Sequence, residues 1–173
     1  MKKAFILMAC MAALAGCAIQ PRVFNPLPFD QVEYDALPKT GTGAVRGQVF
    51  AKTVGGEIKK GAGNEVRLMP STLYRYQAFL AKDTPYLSEI PMAAAQDARH
   101  AIYDKVKTTD GDGKFEFTNI PPGKYYIVSN ISWETISTNQ YSRRLGLTDT
   151  QGGRVMREIE VTNGNTVEAM LSR

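Results

Sequence analysis

The chain has 173 residues and a formal charge of +4, from 21 Lys and Arg against 17 Asp and Glu. That length suits a single domain with a leader and a linker. The small, scattered positive balance argues against nucleic acid as a partner, since no stretch interleaves basic and aromatic residues along one face.

Residues 1–16 read as a secretion leader. Lys2 and Lys3 give a positive start, and Ala4 to Leu14 is an apolar run of signal-peptide length. The run is too short for a permanent membrane helix, which needs about 20 residues. It ends in Leu14-Ala15-Gly16-Cys17, which resembles the bacterial lipobox. The resemblance implies that the leader is cut before Cys17, that the thiol is diacylated and that the new amine is acylated (palmitate chemistry); an ordinary secretory leader is the alternative. Several acyl chains together give stable membrane attachment, at about 0.8 kcal/mol per buried CH₂. Ala18 follows the cysteine where an Asp would imply inner-membrane retention. By the same resemblance the lipoprotein belongs at the outer membrane, facing the periplasm. Loss of the leader removes Cys10, Lys2 and Lys3, which leaves one cysteine and 19 basic against 17 acidic residues. The mature chain therefore has to fold without an internal disulfide.

Residues 17–43 read as a tether. Pro21, Pro26, Pro28 and Pro38 oppose regular ladders, and Thr40-Gly41-Thr42-Gly43 is a flexible run. Val23, Phe24, Leu27 and Phe29 are apolar enough to dock, either on the domain's flank or on a partner. The domain proper is expected over residues 44–173. Its first strand is Ala44 to Ala51, in which Gly47 signals a bulge or a close backbone approach. Turns at Gly55-Gly56 and Gly61-Ala62-Gly63 bracket a short strand, and Glu65 to Met69 reads as a second core strand.

Residues 70–99 interrupt the strand pattern. Leu73, Tyr76, Phe79 and Leu80 recur at helical spacing, which predicts a short helix over residues 72–82 capped by Ser71 or Thr72. An insertion of this length either covers the core or meets a ligand. Its candidate contact residues are Tyr74, Tyr76, Phe79 and Tyr86. A strand is then expected from His100 to Thr109.

Residues 107–131 organise the rest. Asp110-Gly111-Asp112-Gly113 has turn chemistry, and Phe115-Glu116-Phe117 alternates at strand period. Pro121-Pro122-Gly123 breaks that strand and Tyr125 opens the next. This stretch resembles the carboxypeptidase regulatory-like domain, with its T-x-D-x-x-G-x-F-x-F, short apolar link and P-G-x-Y. Thr108 or Thr109, Asp110, Gly113, Phe115, Phe117, Ile120, Pro122, Gly123 and Tyr125 fill those positions. The resemblance implies an all-β fold, a transthyretin- or immunoglobulin-like sandwich of about seven strands with a short helical insertion.

Tyr125 to Thr135 is the longest predicted strand, with Tyr125, Ile127, Ile131 and Trp133 on one face. Such a face is core, so Trp133 is read as a packing residue before a sugar platform. Residues 136–153 are read as a long polar loop, whose Tyr141, Arg143 and Arg144 are candidates for stacking and for pairing with carboxylates or phosphates. Arg154 to Val161 and Thr166 to Leu171 are predicted to close the fold as a hairpin around Asn163-Gly164.

No catalytic set assembles from the sequence. His100 is the only histidine, and no HExxH, GxSxG or phosphate-binding loop occurs. The transthyretin-like fold also includes 5-hydroxyisourate hydrolases, but those enzymes resemble one another in several histidines and a Tyr-Arg-Gly-Ser tail. This chain ends Met170-Leu171-Ser172-Arg173. Asp110 and Asp112 start like a calcium loop, yet the twelfth position is Pro121 where a bidentate Glu is needed. The sequence thus leads to a non-enzymatic lipoprotein without metal or cofactor, whose surfaces at residues 70–99 and 136–153 bind another cell-envelope protein. The alternatives are a carbohydrate- or peptidoglycan-binding module and a secretion-system outer-membrane lipoprotein.

Overall fold

Residues 27–77 and 97–173 are described by a computed structural model. They form eight strands in two four-stranded sheets packed face to face. The strands are β1 (Gly43–Lys52), β2 (Ile58–Lys60), β3 (Glu65–Pro70), β4 (Lys105–Thr108), β5 (Lys114–Ile120), β6 (Gly123–Ile136), β7 (Thr148–Val161) and β8 (Thr166–Ser172). The all-β sandwich expected from the sequence is present.

In the first sheet β1 is the hub. β5 and β2 pair antiparallel along one of its edges, and β8 pairs parallel along the other. The second sheet runs β4-β3-β6-β7, all antiparallel. Period-two alternation sends Val45, Val49, Phe115, Phe117, Ala169 and Leu171 inward from one sheet. Val66, Leu68, Tyr125, Ile127, Ile131, Val155 and Ile159 face them from the other. The open edge of β4 carries Lys105 and Lys107, both exposed, a composition that discourages edge-to-edge association.

The central motif explains its own residues. Asp110 Oδ1 accepts the N–H groups of Asp112 and Lys114 at 2.9 and 2.8 Å, which closes the turn before β5. Gly113 sits at φ +78°, where a side chain is strained. By the T-x-D spacing Thr108 holds the motif's threonine position, but the threonine that does structural work is its neighbour Thr109. Its side chain is buried and donates to the Gly61 carbonyl at 2.5 Å, and its Oγ1 accepts from Asn64 N at 2.9 Å. The Tyr125 hydroxyl reaches back to the Pro121 carbonyl at 2.9 Å and locks the turn into β6.

Three expectations need correction. Residues 98–103 form a 3-10 turn (Ala98–Tyr103) where a strand was expected, so the strand is only β4 and His100 is not on it. Residues 136–153 are not a long loop. β6 and β7 pair continuously from Gly123↔Val161 to Ile136↔Thr148, and only a short tip remains between them. Finally, Asn163-Gly164 does not join a hairpin, because β7 pairs with β6 while β8 crosses to β1 in the other sheet. The turn is real, with Gly164 at φ +74°. Thr42 binds it on both sides: its N–H donates to Asn163 Oδ1 at 3.1 Å, and its Oγ1 accepts from Gly164 N at 3.0 Å. An Asn-Gly pair specifies a chain reversal and leaves open which edge receives the next strand. The edge of β1 opposite β5 is where β8 lands, burying Ala169 and Leu171.

Residues 27–42, part of the expected tether, dock on the domain and include helix α1 (Gln31–Asp35). Residues 73–77 are helical, within the predicted helix, and the rest of the insertion lies outside the described residues. Among the described residues no helix is long and apolar enough to cross a membrane.

Gly47 is the close approach that its position in β1 suggested. A Cβ there would lie 1.9 Å from the Ala169 carbonyl oxygen on β8 and 2.8 Å from the Phe115 ring. Gly47→Ala is therefore expected to destabilise the fold by about 1–3 kcal/mol or more. Gly111→Ala, where a Cβ meets nothing within 4 Å, serves as the neutral control. Urea denaturation midpoints of the two variants check this.

Candidate functional site

The strand pairings give the sandwich two poles. At one lie α1, the start of β1, the end of β3 and the first residues of β6. At the other lie the Asp110–Gly113 turn, β2 and the far end of the β6–β7 hairpin. Three places on this frame carry exposed or concentrated chemistry.

The first is an aromatic clasp at the α1 pole. Asp30 caps α1 by accepting from Val32 N at 2.9 Å, and the helix drives Tyr34 into full burial. The Phe29 ring stacks on Tyr34 at 4.7 Å and meets Tyr74 edge-on at 5.6 Å, while Tyr103 lies 4.6 Å from Tyr34. Arg99 covers Phe29 at 4.6 Å. Its hydrogen bonds hold the Asp97 carboxyl down at about 2. Below the rings, the buried Asp104 carboxylate receives the buried Arg75 guanidinium and, at 3.3 Å, Arg67. The His100 ring lies 5.6 Å from Tyr74, and its Nδ1 meets the Asp97 carbonyl. Thr72 Oγ1 donates to the Tyr34 hydroxyl at 2.9 Å. This is the machinery that fastens residues 27–39 to the domain.

The second place is the outer face of the β5-β1-β8 sheet, a shallow groove of about 680 Å³. Arg46, Gln48, Lys107, Lys114, Glu116 and Glu168 line it, with Met170 at one side. Arg46 Nε donates to Glu168 Oε1 at 2.5 Å, with both side chains more than half exposed. That contact uses one guanidinium nitrogen and one carboxylate oxygen of the pair. Gln48 Nε2 reaches the Asp112 carbonyl at 2.7 Å. The face offers planar donors and acceptors side by side, the equipment for hydroxyl-rich ligands. Nothing in the strand alternation singled out these outward residues, because a polar outer face is what any solvated sheet shows.

The third place is the tip of the β6–β7 hairpin. β3 pairs with β6 only as far as Ser129, so beyond it β6 and β7 continue as a two-stranded ribbon. At the end, Asn139 caps helix α2 (Gln140–Arg144) by accepting from Tyr141 N and Ser142 N. Ser137 is buried, and its N–H donates to the Leu147 carbonyl at 3.3 Å. The tip is thus a built element. Ile136, Tyr141, Leu145 and Leu147 stand on it exposed, Tyr141 by 81%.

These placements sort the predicted site residues. Tyr141, Arg143 and Arg144 come together on the tip, as the sequence grouped them. Tyr74 is withdrawn from any ligand-facing surface: it is buried, and its hydroxyl accepts from Asp97 N at 2.7 Å. Tyr76 is half exposed at the opposite pole. Phe79 and Tyr86 lie outside the described residues, as does Cys17. Trp133 packs, partly buried, against the core. Asp110 is engaged in its turn, and Asp112 receives Lys60 Nζ at 2.6 Å, which lowers its pKa. Among the described residues no group of three or more His, Cys, Asp or Glu is placed to hold a metal ion.

Burial pushes the Tyr34 and Tyr125 hydroxyls above the ordinary tyrosine value of 10.0. The folded state holds those protons more tightly than the unfolded chain. Their stabilising contribution is therefore complete below that value and is lost as pH rises through the raised folded values. Unfolding free energy measured by urea between about pH 8 and 11 is expected to fall with pH. The Tyr34→Phe, Tyr125→Phe double variant flattens that fall, at a cost of about 1 kcal/mol per lost hydrogen bond at neutral pH.

Comparison with known proteins adds a relative of matching length. No protein-family model matches the chain. A crystal structure of a "putative carbohydrate binding protein" from Pseudomonas aeruginosa is similar over 86% of this chain and 99% of its own, with TM-score 0.71 and 31% identity. A minor pilin of Streptococcus agalactiae is far more distant, with TM-score 0.39 and 16% identity over 77% of this chain and 44% of that one. Sixty residues, 35% of the chain, are 37% identical to Colossin-A of Dictyostelium discoideum and span a negligible share of that protein, 0% to the nearest per cent. By length and identity together, the chain belongs to the same family as the Pseudomonas aeruginosa protein.

Proposed function

We propose that the chain is a non-catalytic binding module, a β-sandwich held at the outer membrane by lipid on Cys17, whose ligand is a glycan. The observation that carries the ligand class is the polar groove of Arg46, Gln48, Glu116 and Glu168 on an open sheet face. The similarity to the Pseudomonas aeruginosa "putative carbohydrate binding protein" supports the same class. Paired guanidinium and carboxylate groups recognise sugar hydroxyls in both hydrogen-bonding senses, and their charge strengthens each contact. Support for the anchor is the leader ending in Leu14-Ala15-Gly16-Cys17.

A second reading, binding of another cell-envelope protein, is favoured by one specific observation. The hairpin tip holds four large apolar side chains in solvent on a capped, hydrogen-bonded scaffold, and three of them, Ile136, Leu145 and Leu147, are aliphatic groups that offer sugar hydroxyls no hydrogen bond. The two readings use different surfaces and are compatible.

Calorimetric titration with soluble peptidoglycan fragments and neutral oligosaccharides tests the glycan. Binding is expected, and Arg46→Ala or Glu168→Ala should weaken it by about tenfold or more. Because Trp133 is in the other sheet, its fluorescence should stay unchanged on binding. Absence of binding, or binding indifferent to both substitutions, contradicts the groove. Labelled palmitate is expected to mark the natural chain and not Cys17→Ser; an unlabelled natural chain contradicts the anchor.

A further inference from the structure

The tip and the entry of the chain are at opposite poles. Leu27 enters beside Gln77, whose Oε1 accepts its N–H at 2.7 Å, at the α1 pole. From there β6 runs its full fourteen residues to the tip, about 45 Å of strand. Ten peptide units join Cys17 to Leu27, a reach of at most about 35 Å. A lipid on Cys17 therefore attaches the domain through its α1 pole, and the tip is the end farthest from that attachment.

We infer that the tip is an end-on docking surface for a partner protein that presents carboxylates around an apolar patch. The inference deepens the protein-binding reading and rests on the anchored-module reading for direction only. Ile136, Tyr141, Leu145 and Leu147, exposed by 76, 81, 74 and 53%, lie within twelve residues of one another. Exposed apolar groups gathered on one element mark an interaction site. Tyr and Arg are the residues most enriched at the energetic centres of protein interfaces.

Charge selects the partner. Residues 136–147 contain Arg143 and Arg144 and no acidic residue. The nearest carboxylates keep their charge but belong to the ladder at the base of the tip, where Glu134 accepts from the Thr148 hydroxyl at 3.2 Å and Asp149 from Thr138 N at 3.3 Å. Two cations beside apolar groups complement an acidic rim around an apolar centre. The Asn139 cap and the Ser137–Leu147 bond fix the surface in advance, so little ordering cost remains at docking. The attachment to the membrane is at the other pole, which disfavours lipid as the occupant.

A photo-reactive residue placed at Tyr141 or at Leu145 in the full lipidated chain, in intact membranes, tests this. Ile58, half exposed on β2 at the same pole, is the control position. Both tip positions are expected to yield an adduct with one protein that Ile58 does not, mapped to an acidic peptide. The R143E/R144E variant, with unchanged melting temperature, should lower the adduct yield by about tenfold or more. Replacing the mapped carboxylates with lysine should then restore it. No protein adduct, adducts only with phospholipid, glycan or a second copy of this chain, or a yield indifferent to charge reversal each overturn the inference. The groove titration with glycans is independent of all these outcomes.

Discussion

The unbroken pairing of β6 with β7, fourteen residues against fourteen, is the constraint on which the rest of the molecule depends. Its first half is sandwiched: β3 bonds the other edge of β6, and Tyr125, Ile127 and Ile159 face the opposite sheet. Its second half has lost β3 and continues as a ribbon. One cooperative ladder therefore does two jobs, closing the core at one end and carrying a shaped tip away from it at the other. Isolated two-stranded ribbons are marginal in water. This one is continuous with a buried sheet, and Trp133 packs against the core at its base. Gly152 lets the backbones approach there, since a Cβ on it would lie 2.0 Å from the Ile131 carbonyl oxygen.

The molecule is consequently polar in its layout. At the α1 pole, Phe29, Tyr34, Tyr74 and Tyr103 convert an incoming peptide into part of the domain, and buried Asp104 ties Arg75 and Arg67 beneath them. A buried carboxylate is costly unless paired, and Arg75 and Arg67 supply that pairing to Asp104. The sheet face carrying Arg46 and Glu168 lies along the side of the sandwich, and the tip stands at the far end. The α1 pole, the groove and the tip occupy separate surfaces.

Much of the fold was legible because it rests on short-range chemistry. The Asp110–Gly113 turn, the Phe115/Phe117 alternation and the Tyr125 position predicted a sandwich strand pair, and the bonds of Asp110 and Tyr125 give their physical reasons. Gly47 announced a close approach without naming its partner, Ala169, which is 122 residues distant. What escaped was long-range. Asn163-Gly164 encodes a reversal and cannot encode a change of sheet. Residues 137–147 look polar and loop-like, yet among their polar side chains Asn139 caps the helix and Ser137 Oγ accepts from Asn139 N. His100 was placed in a strand because the apolar residues around it do not distinguish a 3-10 turn from an extended run. Tyr141, Arg143 and Arg144, which proximity in sequence grouped, lie together on the tip. Tyr74 was misplaced because helical spacing does not tell which face of a single turn is covered. The groove left no trace in the sequence, since it is assembled from ordinary outward residues of β1, β5 and β8 with Lys107 of β4.

The central claim is that the ribbon and its tip are structured before any ligand or partner arrives. Amide hydrogen exchange across residues 130–136 and 148–154 in the isolated protein measures this directly. The account predicts protection of the ladder amides facing across the β6–β7 pair, continuous with that of residues 123–129 and graded toward the tip. Exchange of those amides at the rate of an unstructured chain, with the sandwich itself still protected, would contradict it.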